Sequence, residues 1–341
     1  MKLIKLIKLI KLMLSGLLLS GLTVAQADGD VTNCEQYAKA AWTVDGKSPY
    51  GPVHPLCANG SVISDPHITT FSGLTHSGIG YDLNFPGDYT VTEVWGGHHL
   101  AIVGRFVVDK ANKAGAFTIP EAFKLSWTMF TEHSLEIHRG DDGAVIFIDG
   151  KIVPLKHNRK VPIADVGYVI RKGESYFIAD TTSDVAVIVN ANKFYLDMNV
   201  TVPRTVTTVG LLGWAFAPAL YDRLQTLELP FTPTDKDPQQ VQVARADFIH
   251  FIDSWRLTDG NPFTTATLPE IPNYSGKIYT LSHLASKPLA KAQTQCDALE
   301  AELPERFDRH NCLFDLGFGG ARFARSAHLG QYAYLRMAIG Q

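Results

Sequence analysis

Between Val62 and Leu257 the chain is a succession of short strand-like segments, and little other than packed β-sheets can bury them. Tyr89–Trp95, Leu135–His138, Ala144–Ile148, Tyr168–Ile170 and Val185–Val189 are rich in β-branched and aromatic residues. Several alternate apolar with polar, as a sheet does when one face meets a core and the other meets solvent. Turn residues separate them at Arg139–Gly143, Asp149–Gly150 and Arg171–Glu174. Asp149–Gly150, set between Ile148 and Ile152, is the strongest hairpin signal, because both residues tolerate positive φ. Short strands at this spacing predict a mainly β fold, an antiparallel β-sandwich or barrel-like domain.

The N-terminus sets the expected address. Lys2, Lys5, Lys8 and Lys11 precede an uncharged stretch from Leu12 to Val24, which ends at Ala25-Gln26-Ala27. A basic start, a short apolar segment and a small-residue end make a secretory signal, with cleavage expected after Ala27 and a periplasmic or secreted destination. The apolar stretch is shorter than the roughly 20 residues a bilayer span needs. Cleavage would remove four Lys and no acid, leaving 27 basic and 34 acidic side chains, a formal charge of −7 against −3 for the whole chain. Without basic runs, nucleic acid and anionic lipid are not expected partners.

Four cysteines are consistent with an oxidising compartment. Of three possible connectivities the local one is expected, Cys34–Cys57 and Cys296–Cys312, each closing a loop of roughly 15–25 residues at a gain of about 3 kcal/mol. No C-x-x-C spacing supports a metal instead. Pro262, Pro269 and Pro272 among many Thr mark a connector between Thr258 and Ser275. Beyond it Lys287–Glu302 has helical composition, and Gly330 onward is read as a last helix. The expected division is a signal (1–27), a disulfide-tied segment (28–61), the β domain (62–258), a linker (259–280) and a small α-helical, cysteine-containing appendage (281–341).

Ser64-Asp65-Pro66-His67-Ile68-Thr69-Thr70-Phe71-Ser72-Gly73 resembles the opening of a von Willebrand factor type D domain, commonly G-D-P-H-x-x-T-F-D-G. Tyr81-Asp82-Leu83 with Gly87–Val91, the hairpin Ile148–Leu155, Val209-Gly210-Leu211-Leu212-Gly213 and Phe251–Leu257 with Trp255 are similar to later segments of that family, in the same order. Cys312–Asp315 and Phe323–Ala327 are similar to the cysteine-containing helical segment that often follows such domains. The resemblance implies a β-rich extracellular binding and assembly module, with Phe251–Leu257 as its closing strand.

The departures from the family pattern are informative. After its G-L-C-G the family carries Asn and Asp residues that bind calcium, whereas Trp214–Tyr221 is apolar here and leaves only Asp222, with Asp65 as a distant second. Calcium wants six to eight oxygen ligands, so the site is expected to be lost and no cofactor is implied. Leu212 stands where the family has Cys, so disulfide-linked polymers are not expected. Some relatives cleave themselves within G-D-P-H, and the matching bond is Asp65–Pro66, with His67 beside it and Ser64 in place of Gly.

Other constellations are weaker. His98 and His99 are adjacent, so in a strand they face opposite ways and cannot readily share one metal ion. Nucleophile-elbow, phosphate-loop and dinucleotide motifs are absent from the sequence. Trp214–Pro218 places an apolar segment where the family has a polar loop, and packing against the C-terminal helices is the expected use. The expected function is a non-enzymatic recognition or structural module that binds protein or glycan at the cell envelope or outside the cell. Self-processing at Asp65–Pro66, or an unrecognised hydrolase, is the alternative.

Overall fold

Side chains alternate between a shared apolar core and two outer faces along nearly every strand of the computed structural model. The structure describes residues 33–45, 54–63, 66–71, 79–109, 118–128, 131–141, 143–215, 232–234, 237–264, 281–302, 309–320 and 333–338. The chain begins its first sheet with β1 (Cys57–Ile63), β2 (His67–Thr69) and β3 (Ile79–Asp82). It then builds the second with β4 (Gly87–Trp95), β5 (His99–Val108), β6 (Thr118–Thr128), β7 (Glu132–Gly140), β8 (Gly143–Ile148) and β9 (Lys151–Ile152). The first sheet resumes with β10 (Lys160–Ile163), β11 (Gly167–Lys172), β12 (Ser175–Asp180), β13 (Val185–Ala191) and β14 (Leu196–Pro203). After β15 (Thr207–Val209) on the edge of the second sheet, β16 (Thr232–Thr234), β17 (Asp237–Ala244) and β18 (Ala333–Ala338) complete the first.

The 11-stranded sheet runs β10-β11-β12-β13-β14-β1-β2-β3-β18-β17-β16 and the 7-stranded sheet β15-β4-β5-β6-β7-β8-β9. Pairing is antiparallel, except that β18 lies parallel to both β17 and β3. This is the mainly β, sandwich-like architecture that the alternation requires. Tyr176, Ile178, Val187, Val189, Met198 and Val200 of the first sheet share one core with Leu100, Ile102, Phe123, Leu125, Leu135 and Ile137 of the second. The Asp149–Gly150 hairpin forms with φ of 49° and 72°, the conformation its residues favour.

β12 and β13 are apolar on both faces because a helix covers the outer one. Phe177, Ala179, Ala186 and Ile188 point away from the sandwich and meet Ala38 and Trp42 of α1 (Cys34–Asp45). The start of α1 is fastened three ways. Asn33 Oδ1 accepts from Gln36 N at 2.8 Å, while the Asp184 carboxylate accepts from Cys34 N at 2.8 Å and Glu35 N at 2.9 Å. A carboxylate there satisfies orphan N–H groups and complements the helix dipole. The third fastening is the Cys34–Cys57 disulfide, with Cα atoms 5.6 Å apart, which ties α1 to the start of β1. Cys296–Cys312 likewise joins α3 (Ser286–Glu302) to α4 (Arg309–Phe314), with Cα atoms 5.9 Å apart; both pairings match the local connectivity.

Two elements differ from the sequence reading. Ala333–Ala338, read as part of a last helix, is the strand β18. Its composition is compatible with a helix, but pairing on both sides satisfies its backbone and overrides local propensity. Phe251–Ser254, read as the start of a closing strand, is the end of α2 (Arg245–Ser254), because Phe248, Phe251 and Ile252 bury at helical spacing. Only the tail of that segment is strand-like: Trp255 O accepts from Thr90 N at 2.9 Å and Leu257 N donates to Asp88 O at 2.8 Å.

Replacing Asp184 by Ala should lower stability by about 1–2 kcal/mol through the loss of both α1 contacts. Urea denaturation reads this directly, and an unchanged midpoint would show that the Asp184 contacts add nothing to the hold on the helix.

Candidate functional site

The outer face of the second sheet carries a concentration of polar side chains, and register explains why. Cross-strand pairing places Arg105, Ala122 and His138 in one row, and Val103, Lys124 and Glu136 in the next. Buried charges in such a place need partners, and a strap of chain from Asn261 to Thr264 supplies them. Arg105 is fully buried and makes a two-point ion pair with Asp88, its Nε at 2.8 Å and an Nη at 2.7 Å. The same guanidinium donates to Asn261 Oδ1 at 2.8 Å and lies 4.6 Å from the Phe263 ring centroid. Lys124 Nζ donates to Pro262 O at 2.7 Å. Thr264 donates to Glu136 through N at 3.1 Å and Oγ1 at 2.6 Å, while His138 Nε2 lies 2.8 Å from Glu136 Oε2.

These contacts outweigh desolvation at Glu136. Burial pushes its carboxyl up, but the hydrogen bonds from His138 and Thr264, with the nearby Lys124 charge, hold it at about 2.

The other half of this face has no such strap among the described residues. Its rows are Val209, Glu93, Ala101, Ser126 and Ser134, then Thr207, Trp95, His99, Thr128 and Glu132. Trp95 is 43% exposed and stacks on His99 with centroids 5.0 Å apart and planes 18° apart. His99 is itself fixed, Nδ1 lying 3.0 Å from Thr128 Oγ1 and Nε2 3.2 Å from Glu93 Oε2. The result is a large aromatic ring held rigidly in view of solvent.

The adjacent His98 does the opposite. It turns inward from the β4–β5 turn, with Nε2 2.6 Å from Asp180 Oδ2, so the two histidines face opposite sides although only His99 lies in a strand. Trp127 Nε1 donates to the same oxygen at 3.2 Å, and the N–H groups of Thr182 and Ser183 donate to the other at 3.0 and 2.9 Å.

A third polar centre involves the opening motif. Ser64, Asp65 and Gly73 lie outside the described residues, as does Asp222. His67 is buried on β2, with Nδ1 2.7 Å from Asp82 Oδ1 and Nε2 3.2 Å from Asp315 Oδ2. Both ring nitrogens thus meet carboxylate oxygens. Sequence reasoning missed Asp315, because it arrives from a π-helical turn (Asp315–Gly319) far along the chain. It missed Arg105, Glu136 and the strap for the same reason, although two charges within alternating strands hinted at cover.

The remaining motif residues converge. Phe71 is buried and its N–H donates to Leu212 O at 3.0 Å; Tyr81 donates to Leu211 O at 2.5 Å. Gly210 and Gly213 have φ of 113° and 67°, and a Cβ on Gly210 would sit 2.8 Å from Val91 O. Trp255 packs half-buried against the main core. Trp214, expected to pack inside the molecule, is instead 49% exposed, while Phe216–Pro218 lie outside the described residues. Among the described residues, no group of three or more His, Cys, Asp or Glu is arranged to hold a metal, and no helix is long and apolar enough to cross a membrane.

No known family model matches the chain, and no curated protein is similar to it.

Because Glu136 is held below its ordinary range, its contribution to stability is present at neutral pH and fades as pH falls towards about 2. Glu136→Gln should cost about 1–3 kcal/mol at pH 7. That difference from the unmodified chain should shrink between about pH 5 and pH 2 in denaturation curves; a pH-independent difference would place the effect elsewhere.

Proposed function

We propose that the chain is an exported, non-enzymatic recognition module, acting without calcium at the cell envelope or outside the cell. The observation that carries this reading is the Trp95–His99 stack. Exposing a large aromatic ring keeps its apolar surface in water, and holding it fixed keeps it ready for a partner at little further entropic cost. The scaffold beneath suits that role, since both disulfides, the capped α1 and the Asn261–Thr264 strap restrain it.

The resemblance to von Willebrand factor type D domains supports the same reading. The D-P-H-x-x-T-F, Y-D-L and G-L-L-G segments meet in space through the Phe71–Leu212 and Tyr81–Leu211 hydrogen bonds. The S-W-R-L segment closes on the same region through Thr90, whose N–H reaches Trp255 O and whose O accepts from Leu211 N. Segments kept in order along the sequence therefore form one structural nucleus.

A second reading is favoured by the position of His67. Its imidazole is held between Asp82 and Asp315, and in the sequence His67 follows the Asp65–Pro66 pair that the resemblance marks for self-cleavage.

Two measurements separate the readings. The mature chain should bind envelope extract saturably in surface plasmon resonance, and Trp95→Ala should weaken that binding about tenfold, or 1.4 kcal/mol. Equal binding by both proteins, or none by either, removes the support for recognition. Intact-mass analysis after mild acid should show one full-length species; two fragments meeting between residues 65 and 66 would establish self-processing instead.

A further inference from the structure

We infer that the open half of the second sheet's outer face binds an extended, uncharged glycan chain, with Trp95 as its stacking surface. This rests on the recognition reading above and names the ligand class for it.

The shape comes first. Neighbouring strands lie about 4.8 Å apart, so the row from Thr207 to Glu132, which crosses β15, β4, β5, β6 and β7, spans about 19 Å. That is about the length of four pyranose units in an extended chain. The next row is built from short side chains at Ala101, Ser126 and Ser134, which leaves the larger Trp95 and His99 standing beside a shallow step. A flat, elongated ligand fits such a surface, and a deep pocket is not required.

The chemistry matches. His99 supports one side of the indole, and the ring remains 43% exposed, so it offers an apolar plane of about the size of a sugar ring. The axial C–H bonds of a pyranose pack on such a plane while its hydroxyls project sideways. Around Trp95 those hydroxyls would meet the hydroxyls of Thr207, Thr128 and Ser126, which donate or accept, and the carboxylate of Glu93, which accepts. Glu93 and His99 are already oriented by their mutual contact at 3.2 Å, so little order has to be imposed when a ligand arrives.

Charge narrows the class further. Glu93 and Glu132 are the carboxylates of these two rows and His99 is the only basic side chain in them. The nearest cation of the next row, Lys124, is engaged by Pro262 O and Glu136. With a net charge of −7 expected for the mature chain, a phosphate- or sulfate-bearing polymer would meet repulsion here. A protein partner fits less well, because a stable protein interface uses about 20–30 residues a side around an apolar centre. These rows hold ten, and Trp95 and Val209 are their only apolar side chains larger than alanine.

The test is calorimetric titration of the mature chain with cellohexaose, chitohexaose and, as a polyanion, heparin hexasaccharide. At least one neutral hexamer should bind with a Kd on the order of 10⁻⁴ M, and heparin should bind more weakly or not at all. Trp95→Ala should weaken the neutral hexamer at least tenfold with an unchanged thermal midpoint, since Trp95 lies outside the core. Trp214→Ala, which removes an equally exposed tryptophan, should leave the affinity unaltered. Failure of both neutral hexamers, equal binding by Trp95→Ala, or tighter binding of heparin would overturn the inference. If the hexamers fail while Trp95-dependent binding to an envelope protein fraction persists, the recognition reading stands and the glycan assignment falls; loss of every binding signal removes both.

Discussion

The Asp180 carboxylate joins the two sheets at the point where they would otherwise meet only through apolar contact. From the end of β12 it caps its own turn through the N–H groups of Thr182 and Ser183, and it reaches His98 and Trp127 of the opposite sheet. A buried carboxylate is costly unless such partners are present, so the four contacts form as a set. Non-directional packing lets two sheets slide, whereas a fixed cluster of hydrogen bonds admits one register. Trp95 and His99, paired across β4 and β5, flank the turn that carries His98. The geometry of the exposed face therefore depends on a lock buried behind it.

The two outer faces are treated differently. The first sheet turns apolar side chains outward and covers them with α1, an exchange of water for packed carbon. The second turns charges outward and covers half of them with a short strap whose amide, carbonyl and hydroxyl groups each find a partner. The other half, which no strap covers among the described residues, carries hydroxyls, two carboxylates and one stacked aromatic pair. Covering, in both cases, comes from segments outside the run of strands. Those segments are held by a disulfide at one end and by Arg105, Lys124 and Glu136 at the other.

Much of this was legible where the sequence reports local physics. Alternation in Leu135–His138 and Ala144–Ile148 gave the strands, Asp149–Gly150 gave a turn that forms with both φ positive, and cysteine proximity gave the two bridges. His98 and His99 do face opposite ways, but His98 sits in the β4–β5 turn, so Asp180 and not strand pleating sets its direction. What was hidden depends on distant chain. Ala333–Ala338 becomes a strand only because β3 and β17 lie on either side of it. Phe251–Ser254 becomes helical because Tyr81 offers a ring for Phe248 and Phe251 to pack against, edge-on at 5.9 and 5.8 Å. Neither the Asp315 contact with His67 nor the fit of Phe263 between Arg105 and His138 has any local signature.

The most direct measurement is a double-mutant cycle between His98 and Asp180, built from His98→Ala, Asp180→Ala and the pair, with stability read from chemical denaturation. A buried cross-sheet lock should give a coupling energy above about 1.5 kcal/mol. Additive losses, within about 0.5 kcal/mol, would mean that the His98–Asp180 contact does not lock the sheets together.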